Sequence, residues 1–441
     1  MHKYLLIIGM ILLVIALPAQ RALSLEEAKS IALEQNYGYR AGAAALSAAE
    51  WQKTSALSAF LPNLSLSGTL LYMDPARTVQ NTTLNKDQRS ISLNLSQPLF
   101  LGGKLYQSYK MASTSAEMAE LNLQAKRLEL LSEVESKYYA LLQLKEVLDI
   151  AVAEHSQAQT NLELAEIKLQ NGLIARADLL RFQANLANKD IAVLQSQTAY
   201  DLAQRDFANY LGSSELLSPM PLALSDAEIL PLAQLDSAGL QRIGKALTKL
   251  GKNNNLQLKL IDGGVEISER AYKMSKGSFL PSLNLVGSRS YDENGIDRYE
   301  FEASNQIMLN LSIPLLPQVG NYAASRKAYY EAQKAGMEAK QASDGILLGI
   351  DAAVIRMVSS ARQVKTAKLS LDITEDMYAQ LSERFRLNMI STLELMDAEL
   401  MLSASRLAYA NAYYEFFKAR LALLSLVGTD DYSILNAILA E

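Results

Sequence analysis

The chain has 441 residues, a formal net charge of −5 and an isoelectric point near 5.4, an acidity that excludes a nucleic-acid binder built on a basic face. It has no cysteine, so neither a disulfide framework nor a cysteine-linked lipid anchor is possible. Two histidines without any thiol leave little material for a transition-metal centre.

Lys3 precedes an apolar run from Leu5 to Leu17, then Pro18 and small residues, the three-part layout of a secretory signal over residues 1–22, with cleavage after Ala19 or Ala22. The run falls short of the roughly 20 residues that span a bilayer. No later stretch approaches a membrane-crossing helix, so the mature chain can enter a membrane only as a barrel.

Residues 23–212 predict a helix, a strand, a polar loop, a second strand, a very long helix, a short turn and a further helix. In the strands Leu64 and Leu66 alternate with Ser65 and Ser67, and Ile91, Leu93 and Leu95 with Ser92, Asn94 and Ser96. Such patterning suits a barrel with aliphatic side chains to lipid and polar ones to the lumen, and equally a half-buried soluble sheet. The loop is expected from Met73 to Arg89. From Lys104 to Asn171 there is no Gly or Pro, which predicts one helix of about 100 Å at 1.5 Å per residue. Its apolar residues form two seams, Leu128, Leu131, Tyr138, Leu142 and Leu130, Val134, Leu141, Leu144, Leu148, on nearly opposite flanks. A wall of helices and a large soluble bundle both account for them.

Residues 213–238, with Pro219, Pro221 and Pro231, form a linker or part of a belt around the helices. The same order of elements returns over 239–428, with strands around Leu283–Leu285 and Leu309–Ile313 and a loop from Ser288 to Phe301, and a short tail occupies 429–441. The return is a duplication. Ser58 to Gly68 reads almost as Gly277 to Gly287, and Pro62 and Pro281, like Asn36 and Asn255, lie 219 residues apart. Leu93 to Leu99 matches Leu309 to Leu315 at a separation of 216, which Gly212 and Gly428 share. One three-residue difference between Gly287 and Leu309 reconciles the two separations. Four strands cannot close, and open edges are not tolerated in lipid, so a barrel must be completed by other copies of the chain.

The chain resembles the TolC-like outer-membrane efflux proteins over nearly its whole mature length. The resemblance rests on Leu23 to Ala28 with Ala32, Leu33 and Asn36, on Phe60-Leu61-Pro62 with Phe279-Leu280-Pro281, and on two helix-turn-helix tips. The first tip is Gly172-Leu173 followed by Asp178-Leu179-Leu180; the second is Asn388-Met389 followed by Glu394 to Glu399. The resemblance implies a mainly α fold with a small β part. Long antiparallel coiled-coil helices would form a trimeric tunnel, and the four strands per chain would contribute to a twelve-stranded transmembrane β-barrel. It also implies a passive, gated exit duct in the outer membrane, embedded in lipid and served by an inner-membrane pump and a periplasmic adaptor. No nucleophile elbow, phosphate loop or histidine–carboxylate cluster accompanies it, so no enzyme activity and no cofactor are expected. The competing function is a periplasmic coiled-coil scaffold or adaptor that never enters the membrane.

Family precedent marks Gly172, Leu173, Asn388 and Met389 as adaptor-docking tips, although Gly172 also reads as a plain helix C-cap. It places an acidic selectivity ring on Glu394 and Asp397, while Ser391 to Glu394 reads equally as a capping box. The gate is expected around Asp178. The family's tyrosine and arginine partners are here Phe385 and Ile390, so Asp178 is expected to pair with Arg384 or Arg386 while Phe385 and Ile390 add apolar closure. Alternatively Asp178 only complements the positive end of the helix that follows it.

Overall fold

The computed structural model describes residues 21–74, 78–79, 82–83, 86–213, 217–222, 226–293, 300–316 and 318–440. Most of the expected signal, residues 1–20, lies outside them, as do residues 294–299 of the second hairpin loop. In chain order the elements are β1 (Arg21–Leu23), α1 (Leu25–Gln35), α2 (Tyr37–Ser58), β2 (Asn63–Tyr72), the short pair β3 (Thr78–Val79) and β4 (Thr82–Thr83), β5 (Asp87–Leu101), α3 (Lys104–Gln170) and α4 (Arg176–Leu211). After these come β6 (Leu217–Pro219), α5 (Asp226–Ala233), α6 (Ser237–Asn254), α7 (Leu256–Lys276), β7 (Ser282–Glu293), β8 (Phe301–Ser312), α8 (Val319–Arg386), α9 (Thr392–Val427) and α10 (Ser433–Ala440). The chain is mainly α with a small β part. Among the described residues no helix is long and apolar enough to cross a membrane.

Two compact units emerge, one of Met1–Arg40, Arg127–Lys249 and Ile350–Glu441, the other of Ala41–Lys126 and Leu250–Gly349. The second unit holds an antiparallel sheet in the order β2-β5-β7-β8. Its register aligns Leu64, Leu95, Gly287 and Ile307 in one row, and Ser67, Ser92, Ser290 and Ser304 in another. Because successive side chains alternate, one face is largely aliphatic and the other carries Ser and Asn. Arg289 and Asn305 interrupt the aliphatic face, with the Arg289 guanidinium 5.3 Å from the Tyr291 ring. On the polar face Ser67 and Ser92 share a 2.7 Å hydrogen bond, and Ser290 and Ser304 one of 2.8 Å. Much of the aliphatic face is open: Leu66 is 72% exposed and Ile307 84%.

The strands run further than their apolar patterning suggests. β5 starts at Asp87 and β7 continues to Glu293, inside both expected loops, and Thr78–Val79 pairs with Thr82–Thr83. Hydroxyl and carboxylate side chains hold these extensions, Ser90 donating to Asp292 at 2.5 Å, so a polar run here is strand as well as loop.

In the first unit the middle of α3 is enclosed on both flanks, since Leu131, Tyr138 and Leu142 of one seam and Leu130, Val134, Leu141 and Leu148 of the other are all buried. Residues 213–238 are more than a tether: β6 pairs in parallel with β1, and the Tyr138 hydroxyl clamps both by donating to the carbonyls of Leu23 (2.9 Å) and Met220 (2.8 Å). The C-terminal tail is also integrated. Buried Glu135 of α3 binds Lys29 of α1 at 2.8 Å and accepts from the hydroxyls of Tyr139, at 2.7 Å, and Tyr432.

The duplication is visible atom by atom. Asn36 Oδ1 accepts from the Tyr39 N–H at 3.1 Å, and Asn255 Oδ1 from the Leu258 N–H at 2.9 Å, so both asparagines cap the helix that leads to a strand pair. Gly212 (φ 77°) and Gly428 (φ 89°) end α4 and α9 in the left-handed conformation.

Candidate functional site at the paired helical tips

At the first tip α3 ends on Gly172 at φ 69°; its N–H donates to the Leu169 carbonyl at 2.9 Å, and that of Leu173 to the Lys168 carbonyl at 2.8 Å. These are the two bonds of a Schellman turn. The second tip reproduces them: Asn388 N–H donates to Phe385 at 3.0 Å and Met389 N–H to Arg384 at 2.8 Å. Asn388, at φ 58°, is the only non-glycine residue with positive φ among the described residues. Leu173 and Met389, thrown out by these turns, are 54% and 67% exposed.

The helices that leave the turns begin on carboxylates. Asp178 Oδ2 accepts from the Ala175 N–H at 3.3 Å, and Glu394 Oε2 accepts from the Ser391 N–H at 2.7 Å. The Glu394 N–H in turn reaches Ser391 Oγ at 3.3 Å, closing a reciprocal capping box. Hydrogen bonds from the Ser391 backbone, and then from its hydroxyl, hold the Glu394 carboxyl below the usual range. Asp397, one turn on, is exposed and makes no bond to another described residue.

Between the turns lies a small core of Ala165, Phe182, Phe385 and Leu395, with Ile174, Leu179, Tyr378 and Ile390 packed around it. Phe385 is 2% exposed and its ring centroid is 5.7 Å from that of Phe182, so within one chain Phe385 and Ile390 bind the two tips to each other. An open cleft of about 700 Å³ separates the turns, with Gly172, Asp178, Arg181, Asn388 and Ser391 among its lining. Within this single chain Arg386 bonds Glu383 at 2.6 Å, and no described contact joins Asp178 to Arg384 or Arg386.

Lys168 was not among the residues singled out from sequence. Its side chain leaves the end of α3, is 3% exposed, and donates to the Phe385 carbonyl at 2.7 Å, the Arg386 carbonyl at 3.3 Å and Asn388 Oδ1. It thus satisfies orphan carbonyls at the end of α8 from a neighbouring helix, and sits 4.7 Å from the centre of the Phe385 ring. Burial lowers its pKa. A signal existed: Ala158, Asn161, Ala165 and Lys168 repeat at heptad spacing, and a cation where that repeat requires a core residue marks a bonded polar group.

The sequence model described as "Outer membrane efflux protein" matches residues 29–213 and 249–429. The chain belongs to that family. It is therefore an outer-membrane efflux channel protein, not an enzyme. Among relatives of this family, the alkaline protease secretion protein AprF of Pseudomonas aeruginosa is 21% identical over 432 residues, covering 95% of this chain and 87% of that protein. The outer membrane protein TolC of Salmonella enteritidis is 22% identical over 431 residues, covering 91% of this chain and 82% of its own. The solved structure of the CmeC outer membrane channel of Campylobacter jejuni superposes with a TM-score of 0.78 at 17% identity, covering 95% of this chain and 89% of that one. The efflux family's fold is thus this chain's fold.

Proposed function

We propose that three copies of this chain form a gated, passive exit duct that works with an inner-membrane pump and a periplasmic adaptor in efflux or type I secretion. The observation that carries this reading is the open sheet. Among the described residues β2 and β8 each have an edge with no neighbouring strand, one sheet face is aliphatic and largely exposed, and all four strands connect to helices. In lipid such edges must be closed, and three chains of four strands give a twelve-stranded barrel. Membership of an outer-membrane family leaves no room for a soluble periplasmic scaffold. The secretory role in the name of AprF and the channel role in that of CmeC are those proteins' own; here they support a duct for a cargo that a pump selects.

In this reading Gly172, Leu173, Asn388 and Met389 form the adaptor-docking tips. Leu173→Asp with Met389→Asp should abolish export while the protein stays in the membrane, and retained export would refute docking here. Glu394 and Asp397 form the acidic ring, focusing a negative potential that favours cations. Glu394 is also occupied as a cap, so Asp397 is the sharper test: Asp397→Asn should weaken cation selectivity in single-channel recordings. The gate pairs Asp178 with Arg384 or Arg386 of a neighbouring helix pair. Neutralising either side should raise resting conductance; if Asp178→Asn leaves conductance at its closed level, Asp178 is a helix-end charge only.

A further inference from the structure

All four strands meet their helices at one end of the sheet, where α2 enters β2, β5 leads to α3, α7 enters β7 and β8 leads to α8. The eight helical residues nearest the sheet on each helix hold seven basic residues, Lys53, Lys104, Lys110, Arg270, Lys273, Lys276 and Arg326, and one acid, Glu269. The connecting residues add no charge. A chain of net charge −5 therefore wears a strongly positive collar where its aliphatic strand face begins.

These cations are not assembled for one another. Arg270 pairs with Glu266, but none of the other six meets a carboxylate among the described residues. Two of them sit at one backbone crossing. A Cβ on Gly102 would lie 2.2 Å from the Gly277 carbonyl oxygen, and one on Gly277 2.9 Å from Lys104 Cγ, so this backbone crossing brings Lys104 beside the end of α7 that carries Lys276. Aromatic rings hold the cations in place: Lys276 Nζ lies 4.3 Å from the Tyr272 ring centre, and the Arg326 guanidinium 4.9 Å from that of Tyr330 and 5.4 Å from that of Tyr329. The Tyr272 and Tyr329 rings pack at a tilt with centroids 5.4 Å apart, joining α7 to α8. Amphipathic rings with unpaired cations beside an apolar band are the chemistry of a membrane interface.

We propose that this collar binds the anionic headgroups of phospholipids in the leaflet nearer the helices. The proposal rests on the reading that the strands cross the outer membrane. The full chain is offered vesicles of phosphatidylcholine with or without phosphatidylglycerol, extracted in mild detergent, and its retained lipid weighed by native mass spectrometry. Retention should favour phosphatidylglycerol, weaken as salt is added, and resist inorganic phosphate. Lys104→Gln, Lys276→Gln and Arg326→Gln together should cut the preference on the order of a hundredfold, given the usual contribution of a basic residue at an anionic surface. Entry into both vesicles with equal retention of the two lipids, preference insensitive to salt, displacement by inorganic phosphate, or a triple variant that keeps its full preference would each overturn the collar alone. Failure to enter either vesicle would bring down the barrel reading and the collar with it.

Discussion

At the tips, the chemistry is carried by residues whose backbone roles constrain their side chains. Gly172 and Asn388 occupy the same left-handed position, but only the asparagine offers an acceptor, and Lys168 uses it. Asn388→Gly should keep the turn and loosen the lysine, whereas Asn388→Ala should also strain the backbone by about 1–2 kcal/mol. Faster hydrogen exchange at the Met389 amide in the alanine variant than in the glycine variant would check this ordering. Lys168→Met removes the donor and leaves buried carbonyls unsatisfied, a loss of about 1–3 kcal/mol. The expected result is rapid exchange and protease sensitivity around residues 384–389 with the rest of the fold intact; unchanged protection would show that water replaces the ammonium without penalty. Gly172, Leu173, Asn388 and Met389 were legible as two turns through the resemblance to the TolC-like family, and they share the repeat's separation of 216 residues. Lys168 shows only as a cation in a core position of its heptad, because its partners lie 217 to 220 positions away and are backbone and amide oxygens that no pattern of residue types reveals.

Among the elements, α3 could be read from composition alone, since an uninterrupted run without Gly or Pro predicted it to within a residue of its end. The strands were read too short, because Ser, Asp and Arg at their far ends look like loop while they form cross-strand bonds. The helix start at Glu394 carries a pH signature. Its carboxyl is held below the ordinary value of about 4.3, so the capping contribution is present above that value and is lost as pH falls through the folded pKa. Hydrogen exchange at the Glu394 amide should accelerate on acidification, and not in Glu394→Gln. The belt of β1 and β6 has the opposite limit. Burial pushes the Tyr138 phenol up to about 12, and burial also raises Tyr139 and Tyr432. An unfolded tyrosine ionises near 10, so the tyrosines' contribution is full below about 10 and declines as pH rises toward the folded values. Part of the tyrosinate absorbance should therefore appear late and together with loss of helical signal; ionisation of all tyrosines near 10 in the folded protein would contradict the buried clamp.

For the molecule as a whole, the decisive quantity is the number of copies. Mass measurement in detergent should give three chains, and a folded monomer would sink the duct. The two sheet faces give a second check on the same assembly. Leu309→Arg, on the aliphatic face, should cost about 2–4 kcal/mol if the site lies near the bilayer midplane and reduce membrane insertion, whereas Ser304→Arg, on the polar face, should be tolerated. The duplication made this architecture legible, because two copies of one pattern exposed what either alone left ambiguous. The register adds something the pattern could not. Leu64 and Leu95 correspond by repeat to Leu283 and Leu311, yet they stand in a row with Gly287 and Ile307, which lie four residues further from the helices in each strand. The second hairpin is therefore offset from the first by four residues, roughly 13 Å. In a closed ring that offset can be absorbed only by leaning the strands, and leaning strands stand further from the axis than upright ones. The width of the exit is then set by how the hairpins are staggered and not by how many residues line it, so an alteration that slips one pairing would change the largest cargo that passes while leaving every lumen side chain in place.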